Sequence, residues 1–400
     1  MSDLHIAIIV FLVAMVTSLM VFPKALKFAM KHNIVDNPNA RKLQRVPVPV
    51  FGGVVVYTGI LAGALVLLFF RQSEVIQWGI IAMTVMMLIG IWDDMSNISA
   101  FLRLLIEIVM VGAFMAITGI YIDDLNGMWG FHSLEPWASI PLSLFIGVGV
   151  INAINLIDGV DGYSSGYCMM ACACLGLAFY STWSLVMVCM ALIVIGALIP
   201  FFLHNVFGSR SRMFIGDGGT LMLGMLLVVM AFYSMSSVSR MDQMEDLGIC
   251  IPAFLTAVGV IPLFDTVRVM TMRIMRGKSP LKPDKTHLHH LFIDMGFSHL
   301  GAALFIILIN QIVVIVWWLT WKMGASFDLQ LFIVIAMGLL VTFVFYWVMK
   351  RQQNGGKLDE EGYPQGTWLW HAMCRLGDWT HRENKRSWRI TRYVMDNYLS

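Results

Sequence analysis

The chain has 400 residues, of which 58% are hydrophobic and 13% are charged, and its mean hydropathy is +0.75. A water-soluble domain of this composition would expose large apolar patches, so the composition excludes a soluble protein and indicates an integral membrane protein. The formal net charge of +2 gives no sign of a nucleic-acid partner.

Eleven apolar stretches are each long enough to cross a membrane as a helix. A hydrocarbon layer of ~30 Å takes about 20 residues of helix. The stretches are continuously apolar rather than alternating, which favours helices over the strands of a barrel. We therefore predict an all-α polytopic membrane protein, with a transmembrane domain at 1–350 and a tail at 351–400. The predicted spans are 4–22, 51–70, 76–92, 101–120, 138–157, 162–180, 183–203, 219–236, 248–267, 301–321 and 327–349.

The basic residues predict the orientation, because Lys and Arg are enriched in cytoplasmic connections. Connections 23–50 and 268–300 carry six basic residues each, and residues 350–400 carry nine. The opposite side holds three, namely Arg71, Arg240 and Lys322. We expect the N-terminus outside, the C-terminus in the cytoplasm, and a multi-pass protein of a bacterial inner membrane.

Polar side chains gather at span ends on the predicted cytoplasmic side. Asp93 and Asp94 end the third span, and a cation is the simplest relief of the repulsion between adjacent acids. Asn152, Asn155 and Asp158 end the fifth span at a spacing that one helix face can present together. Capping of helix ends is the alternative for each acid. The pattern favours a shared water-accessible cleft.

Two further segments on this side suit phosphate. Asp217 lies among glycines at the start of the eighth span, where a positive helix end favours an anion. His287, His289 and His290 lie in a basic loop that lacks a convincing fourth zinc ligand, so we favour a cationic or hydrogen-bonding pocket for a phosphorylated ligand. Asp and Asn oxygens favour Mg²⁺, with Mn²⁺ as a substitute, and phosphoryl transfer to a lipid is the predicted reaction class.

Seven segments, in order along residues 1–350, together resemble a known family. They are Asp36-Asn37-Pro38-Asn39-Ala40-Arg41-Lys42, Gly52-Gly53, Asp93-Asp94, Asn152 to Gly162, Phe214 to Thr220, Pro262-Leu263-Phe264-Asp265 and His287-Leu288-His289-His290. With these segments the sequence resembles the polyprenyl-phosphate N-acetylhexosamine-1-phosphate transferase superfamily. Within it, the sequence is most similar to the bacterial transferases that move N-acetylglucosamine 1-phosphate from its UDP derivative to undecaprenyl phosphate.

The resemblance implies a role for each matched residue. Asn155 and Asp217 would bind Mg²⁺, with Asp93 and Asp94 beside the metal and the lipid phosphate, and Arg103 would hold a phosphate. The remaining implied substrate-binding residues, for the donor's pyrophosphate, sugar and nucleoside, are Arg45, Asn152, Asp158, Asp161, Arg273, Arg276, His287, His289 and His290. The implied partners are a UDP-sugar, undecaprenyl phosphate and the lipid bilayer, and a homodimer is left open.

Several alternatives stay open from the sequence. A phospho-MurNAc-pentapeptide translocase-like reaction and a covalent phospho-aspartate belong to the same reaction class. A cation-coupled transporter or a scaffold for glycan enzymes would be a different class, although the acids lie at one face rather than at the midplane that transporters use. The tail is predicted to form either an interfacial helix or a small protein-contact module, and we expect the chemistry to survive its removal.

Overall fold

The computed structural model describes residues 2–36, 47–208, 211–237, 239, 242–280, 285–354 and 368–387. Helices account for almost all ordered elements in these ranges, which confirms the predicted all-α class. The helices are α1 (Asp3–Lys31), α2 (Gly52–Phe70), α3 (Glu74–Ser96), α4 (Ala100–Thr118), α5 (Pro136–Leu156), α6 (Tyr163–Ser181), α7 (Leu185–Phe207), α8 (Gly216–Ser234), α9 (Asp242–Asp246), α10 (Ile251–Met275), α11 (Leu288–Asp294), α12 (His299–Lys322), α13 (Phe327–Leu339), α14 (Tyr346–Asn354) and α15 (Trp368–Ser387). A π-helical segment, Leu340–Phe345, joins α13 to α14, and strands β1 (Val35–Asp36) and β2 (Val48–Pro49) pair antiparallel.

Within the described ranges, ten helices are long and apolar enough to cross a membrane. The last of them runs through α13, the π-helical segment and α14. All eleven predicted spans are helical in the structure; the one outside the ten is α6, a 19-residue helix that begins with Tyr163, Ser164 and Ser165. This polar first turn shortens the apolar part of α6 at its N-terminus, which follows the polar C-terminus of α5.

Helix α8 is the centre of the bundle. Every residue from Gly218 to Met230 is buried, and the helix packs against α2, α3 and α5. Glycines permit the close crossings: a Cβ on Gly53 of α2 would lie 2.5 Å from the backbone nitrogen of Gly219. Small residues at helix crossings are common in membranes, where close backbone approach supplies packing energy. The N-terminus of α8 is therefore fixed between the ends of neighbouring helices.

The loop before α8 is fastened to the start of α2. The backbone N–H of Gly52 donates to the carbonyl of Phe214 at 2.9 Å, and that of Gly53 donates to the carbonyl of Ile215 at 2.8 Å. Val50 also forms a parallel β-bridge with Phe214. The glycine pair thus has a backbone role, which is to let α2 approach the loop that leads to Asp217.

Helix α10 contains Pro262, which has no N–H and leaves a carbonyl of the preceding turn without its helical partner. Asn310 of α12 and Tyr167 of α6 supply donors there: Nδ2 of Asn310 lies 3.0 Å and the hydroxyl of Tyr167 lies 2.9 Å from the carbonyl oxygen of Val258. Two neighbouring helices therefore stabilise α10 about two turns before Asp265.

Helix α15 of the tail packs against the junction between α11 and α12. Trp370 is buried, and Oγ1 of Thr380 accepts a hydrogen bond of 3.1 Å from the backbone N–H of Ser298. A Cβ on Gly301 would lie 2.6 Å from Thr380. A helix is thus present in the tail over Trp368–Ser387, and one of its faces makes contacts within the chain. The division into a transmembrane domain and a separate tail stays a prediction.

Candidate active site

The ends of α5 and α8 meet at Asn155 and Asp217. Nδ2 of Asn155 donates to Oδ1 of Asp217 at 2.7 Å and to Oγ1 of Thr220 at 2.9 Å. Asn155 and Asp217 are 62 positions apart in the chain, so the fold alone produces their contact. The sequence predicts both as ligands of one cation, and the structure brings them together.

Asp94 caps the N-terminus of α8. Its Oδ1 accepts a hydrogen bond of 3.1 Å from the backbone N–H of Asp217, and its Oδ2 accepts one of 3.3 Å from that of Gly218. Gly216 has a φ of +72°, and a Cβ there would lie 2.6 Å from Oδ2 of Asp94, so the position requires glycine. Asp94 therefore occupies two of the donors at this helix end, and the predicted contact of the end with a phosphate stays a prediction.

Asp93 faces α4, although it is adjacent to Asp94. Its Oδ1 accepts a hydrogen bond of 3.0 Å from the backbone N–H of Ile98, and its Oδ2 accepts one of 3.1 Å from Nη1 of Arg103. The same Nη1 lies 3.9 Å from Oδ2 of Asp217. Arg103 therefore connects Asp93 to the contact between Asn155 and Asp217. Its predicted role in holding a phosphate stays a prediction.

Glu107 belongs to this cluster, and our sequence analysis missed it. The residue is fully buried in α4, its Oε2 accepts a hydrogen bond from Nδ2 of Asn152, and its Oε1 lies 3.6 Å from Nε of Arg103. Two signals were available. Glu107 is the only acid in the predicted span 101–120, and it follows Arg103 by four positions, which places the two side chains on one helix face.

A cavity of about 630 Å³ opens beside these residues. Its described lining comes from the end of α1, strand β1, the end of α3, the α5–α6 and α7–α8 connections, and residues of α11 and α12. Asn152, Asn155 and Arg103 lie behind this lining, in contact with its acids or with Glu107. The predicted site residues that line the cavity are Asp93, Asp94, Asp158, Asp161, Asp217 and His290.

Asp161 is paired on the cavity wall with two residues that the sequence analysis did not assign to the site. Nη2 of Arg212 donates to Oδ2 of Asp161, and Nδ1 of His299 lies 2.7 Å from the same oxygen. Asp158 accepts a hydrogen bond of 2.5 Å from Oγ of Ser164. The two acids predicted to shape the nucleotide pocket thus lie in one cavity, and one of them is neutralised by a guanidinium.

The electrostatic setting of Asp158 differs from that of Asp161. Although the side chain of Asp158 is open to the cavity, desolvation by the surrounding protein raises the pKa of its carboxyl to about 7. The nearby charges of Asp217 and Asp94 add to the rise, and the hydrogen bond from Ser164 opposes it. A cation bound among these acids would favour the ionised form of Asp158.

Asp265 fixes the histidine loop and does not line the described part of the cavity. Its Oδ2 lies 2.9 Å from Nδ1 of His287, its Oδ1 accepts a hydrogen bond of 2.6 Å from Nη2 of Arg268, and the backbone N–H of Leu288 lies 3.2 Å from both oxygens. The Arg268 guanidinium lies 3.5 Å from the ring centre of Tyr346. His287 is therefore buried in a structural cluster at the start of α11, and its predicted contact with substrate stays untested.

His289 and His290 are uncharged near neutral pH. Burial lowers the pKa of His289 well below its usual value and lowers the pKa of His290 to about 4, and neighbouring histidines add to both shifts. His289 packs on Gly159, where a side chain would overlap the imidazole, whereas His290 lines the cavity. These two histidines therefore suit the hydrogen-bonding form of the predicted pocket, and its contact with a phosphorylated ligand stays a prediction.

Three predicted basic residues have no described position in the cavity wall. Arg273 is buried, and its Nη1 donates to the carbonyl of Pro280 at 2.6 Å. Arg276 is exposed at the end of α10. Arg45 lies outside the described residues. The structure therefore does not test the predicted contacts of these three residues with the donor.

The site fits a cation that takes few protein ligands. Within the described ranges, no three His, Cys, Asp or Glu side chains form a complete metal site. The amide of Asn155 is in contact with Oδ1 of Asp217, Asp93 and Asp94 lie beside them, and in the described part of the chain Arg103 is the cation joined to them by ion pairs. Mg²⁺ commonly binds one or two carboxylates together with water and substrate phosphates, so this oxygen-rich, negatively charged set suits it.

Comparison with known proteins agrees with this site. Residues 76–235 match the model of the family described as Glycosyl transferase family 4. The chain is 30% identical over 292 residues to the undecaprenyl-phosphate alpha-N-acetylglucosaminyl 1-phosphate transferase of Escherichia coli K12. The aligned region covers 71% of this chain and 76% of that protein. It is 29% identical over 309 residues to the probable undecaprenyl-phosphate N-acetylglucosaminyl 1-phosphate transferase of Bacillus subtilis, covering 76% and 82%. For the corresponding Yersinia pestis transferase, the identity is 27% over 293 residues, covering 71% and 76%.

The helical bundle and its acidic cavity define a multi-pass membrane enzyme whose polar groups converge at one end of the helices. The chain belongs to Glycosyl transferase family 4 and, within it, to the polyprenyl-phosphate N-acetylhexosamine-1-phosphate transferases, as the sequence resemblance predicts.

Proposed function

We propose that the protein transfers N-acetylglucosamine 1-phosphate from UDP-N-acetylglucosamine to undecaprenyl phosphate and releases UMP. The names of its relatives support this donor and this acceptor. The product, a sugar joined to the lipid through a pyrophosphate, would prime the synthesis of a cell-envelope glycan.

The contact between Asn155 and Asp217 is the observation that carries the proposal. It places an amide and a carboxylate from two distant motifs 2.7 Å apart, with Asp94 on the same helix end and the Asp93–Arg103 pair beside them. Phosphoryl transfer needs positioning and charge neutralisation more than covalent chemistry from the protein, and this set of groups can provide both.

The proposed reaction exchanges one phosphoanhydride for another. An oxygen of the lipid phosphate forms a bond to the β-phosphorus of the donor, and the bond from that phosphorus to the oxygen bridging to the α-phosphate breaks, so UMP leaves with the bridging oxygen. A phosphate monoester has a second pKa near 6, so its oxygen is already ionised at neutral pH. Asp93 and Asp94 therefore position the reactants, and no general base is required.

Asn155 and Asp217 would hold Mg²⁺, which would supply charge neutralisation at the donor pyrophosphate. Arg103 would contact the acceptor phosphate. Its Nη1 lies 3.1 Å from Oδ2 of Asp93 and 3.9 Å from Oδ2 of Asp217, so its guanidinium is beside the residues that would hold the metal. Asp158, Asp161 and His290 line the remaining cavity, where the nucleoside and the sugar of the donor would bind.

The proposed location of the site is the cytoplasmic face of the inner membrane. The described cavity lining includes residues from connections 23–50, 204–218 and 268–300, which are rich in Lys and Arg. An excess of basic residues marks cytoplasmic connections, so we propose that the cavity opens towards the cytoplasm.

A donor panel tests the proposal. The purified full chain, reconstituted with undecaprenyl phosphate, should release UMP and form the lipid-linked sugar with UDP-N-acetylglucosamine and not with UDP-glucose or UDP-MurNAc-pentapeptide. EDTA should stop the reaction, and Mg²⁺ or Mn²⁺ should restore it. Added UMP should regenerate the nucleotide sugar from the lipid product.

Matched variants separate the site from the rest of the fold. Asp217→Asn should lower turnover by at least about 100-fold, the range expected when charge stabilisation of a transition state is lost. Asp123→Asn is the control, because Asp123 bonds to Ser237 at the opposite end of the helices. Product formation by Asp217→Asn at the wild-type rate, or solute uptake without UMP release, would contradict the proposal.

A further inference from the structure

We propose that Glu107 is a positioning residue for the acceptor phosphate, which acts by holding Arg103 and Asn152 in place. The inference rests on the proposed function and adds a residue that neither the motifs nor the family resemblance includes.

The burial of Glu107 requires an explanation. Its side chain is 0% exposed, in the second turn of α4, within a helix whose other residues are almost all apolar. A carboxylate in a membrane helix costs on the order of 2.5–3.5 kcal/mol at the centre, so intramembrane acids are rare and face polar partners inside the bundle. The polar partners of Glu107 are two site residues.

Glu107 links two helices of the site. On α5, Nδ2 of Asn152 donates to its Oε2 and also donates to the carbonyl of Val148 at 3.0 Å. Both amide hydrogens of Asn152 are thus engaged, which fixes the orientation of its side chain. Asn152 precedes Asn155 by one helical turn, so Glu107 also fixes α4 against the helix that carries the contact to Asp217.

Glu107 also sets the direction of the Arg103 side chain. Its Oε1 lies 3.6 Å from Nε, while Nη1 lies 3.1 Å from Oδ2 of Asp93 and 3.9 Å from Oδ2 of Asp217. A guanidinium has five N–H donors in a rigid plane, so the ion pair of Nε with Glu107 and the hydrogen bond from Nη1 to Asp93 together orient Nη2. Among the described residues, Nη2 of Arg103 has no hydrogen-bond acceptor, and the side chain remains 20% exposed. Nη2 is therefore the donor left for an incoming phosphate.

The position of Arg103 points to the acceptor rather than to the donor. Neighbouring residues of α4, Phe101 and Leu105, are 72% and 47% exposed on the outer surface of the bundle, where lipid chains lie. Arg103 is beside them at the start of the span, between the lipid-facing surface and Asp217. A phosphate on a polyprenyl chain reaches this guanidinium from the bilayer.

Substitution of Glu107 should change the kinetics for one substrate. Glu107→Leu removes both oxygens, releases Arg103 and Asn152, and should lower kcat/KM for undecaprenyl phosphate by about 10-fold or more, which corresponds to about 1.4 kcal/mol. KM for the UDP-sugar should change less than 2-fold. Glu107→Gln keeps an oxygen for Asn152 at nearly the same volume but places an amide N–H towards Nε of Arg103, so its kcat/KM for the lipid should lie between those of the wild type and Glu107→Leu.

Gln330→Leu is the control for loss of a buried polar group. Gln330 is also fully buried, but it bonds to the carbonyls of Gly248 and Ala325, far from Asp217 in the chain and at the opposite helix ends. This variant should lower the thermal unfolding temperature and leave both KM values unchanged. Glu107 variants are compared only as monodisperse, folded protein in the same detergent.

The outcomes distinguish the two proposals. If the wild type turns over and Glu107→Leu matches its KM and kcat for undecaprenyl phosphate, the role of Glu107 is refuted and the reaction stands. An equal change in both KM values would show a purely structural role and also refute it. If the wild type forms no product with any donor, the proposed function itself fails.

Discussion

Gly90 of α3 lies directly against Asp217 of α8, and a Cβ on Gly90 would overlap the carbonyl of Asp217 and the Cα of Gly218. These are backbone atoms, which cannot turn aside as a side chain can. Gly90 is also one helical turn before Asp93 and Asp94. The distance between α3 and α8 is therefore set at the point where both helices enter the site.

Gly90→Ala should separate α3 from α8 and pull Asp94 away from the N-terminus of α8. We expect a loss of activity of at least about 10-fold and a destabilisation of about 1–3 kcal/mol, as for overpacking in a core. Activity assays and thermal unfolding in detergent measure the two effects. Gly79→Ala on the same helix is the control, because its Cβ would lie 3.6 Å from Val229, an ordinary contact. Equal activities of the two variants would contradict this account.

The pKa values of His289 and His290 predict how stability depends on pH. Because burial lowers both below the usual value of about 6.5, the unfolded chain takes up protons first as the pH falls. The stability of the fold is therefore fully present above pH 6.5 and declines towards the folded pKa of His290, about 4. His290→Gln should flatten this decline by on the order of 1–2 kcal/mol between pH 7 and pH 5.

Thermal unfolding at several pH values checks this expectation. His381→Gln is the matched control, since His381 is exposed on α15, and it should leave the pH slope unchanged. A slope that is the same in the wild type and in His290→Gln would show that His290 is protonated equally in the folded and unfolded states.

Asn310 is predicted to be important for stability through the backbone of α10. Asn310→Leu would leave the carbonyl of Val258 with one donor fewer and the N–H of Ile261 without its 3.1 Å partner. An unsatisfied buried group costs about 1–3 kcal/mol, so the unfolding temperature should fall. Gln311→Leu is the neighbouring control, because Gln311 is partly exposed and contacts only Cys174 Sγ at 3.6 Å in the described structure. Equal unfolding temperatures for the two variants would contradict the role of Asn310.

Truncation after Asn354 should separate stability from chemistry. It removes α15 and with it the contacts to Ser298 and Gly301, so the unfolding temperature should fall. No residue of α15 belongs to the described cavity lining, so kcat per folded molecule should remain within about 2-fold of the wild type. Thr380→Val in the full chain should reproduce part of the stability loss. A folded truncation without activity would show that the tail takes part in catalysis.

The sequence was sufficient to predict the membrane helices and the acids and amide that form one side of the site. Continuous apolar runs determine membrane helices because the bilayer leaves no other way to satisfy the backbone, and all eleven predicted spans are helical. The polar ends of the third, fifth and eighth spans identified Asp94, Asn155 and Asp217 as neighbours, and the structure places them in contact. Topology alone brings those ends to the same side of the membrane.

The remainder depends on how helices rotate and pair, which spacing along the chain does not reveal. Glu107 was missed because its partner Asn152 lies 45 positions away on another helix. Asp265 carries the same kind of side chain as Asp217, yet Arg268 and His287 draw it into a buried cluster. Likewise, Arg273 turns to a carbonyl of its own loop at Pro280. Residue type was informative for each, but only packing decides which of them meets the cavity.

The described part of the cavity wall begins at His32, at the end of the first helix, and finishes with His299, at the start of the twelfth. A ribosome delivers these two residues far apart in time, and no nascent chain that stops before α12 contains both. The described wall is therefore complete only once α12 has been inserted, so a substrate that needs the whole cavity cannot help the earlier helices to assemble during synthesis.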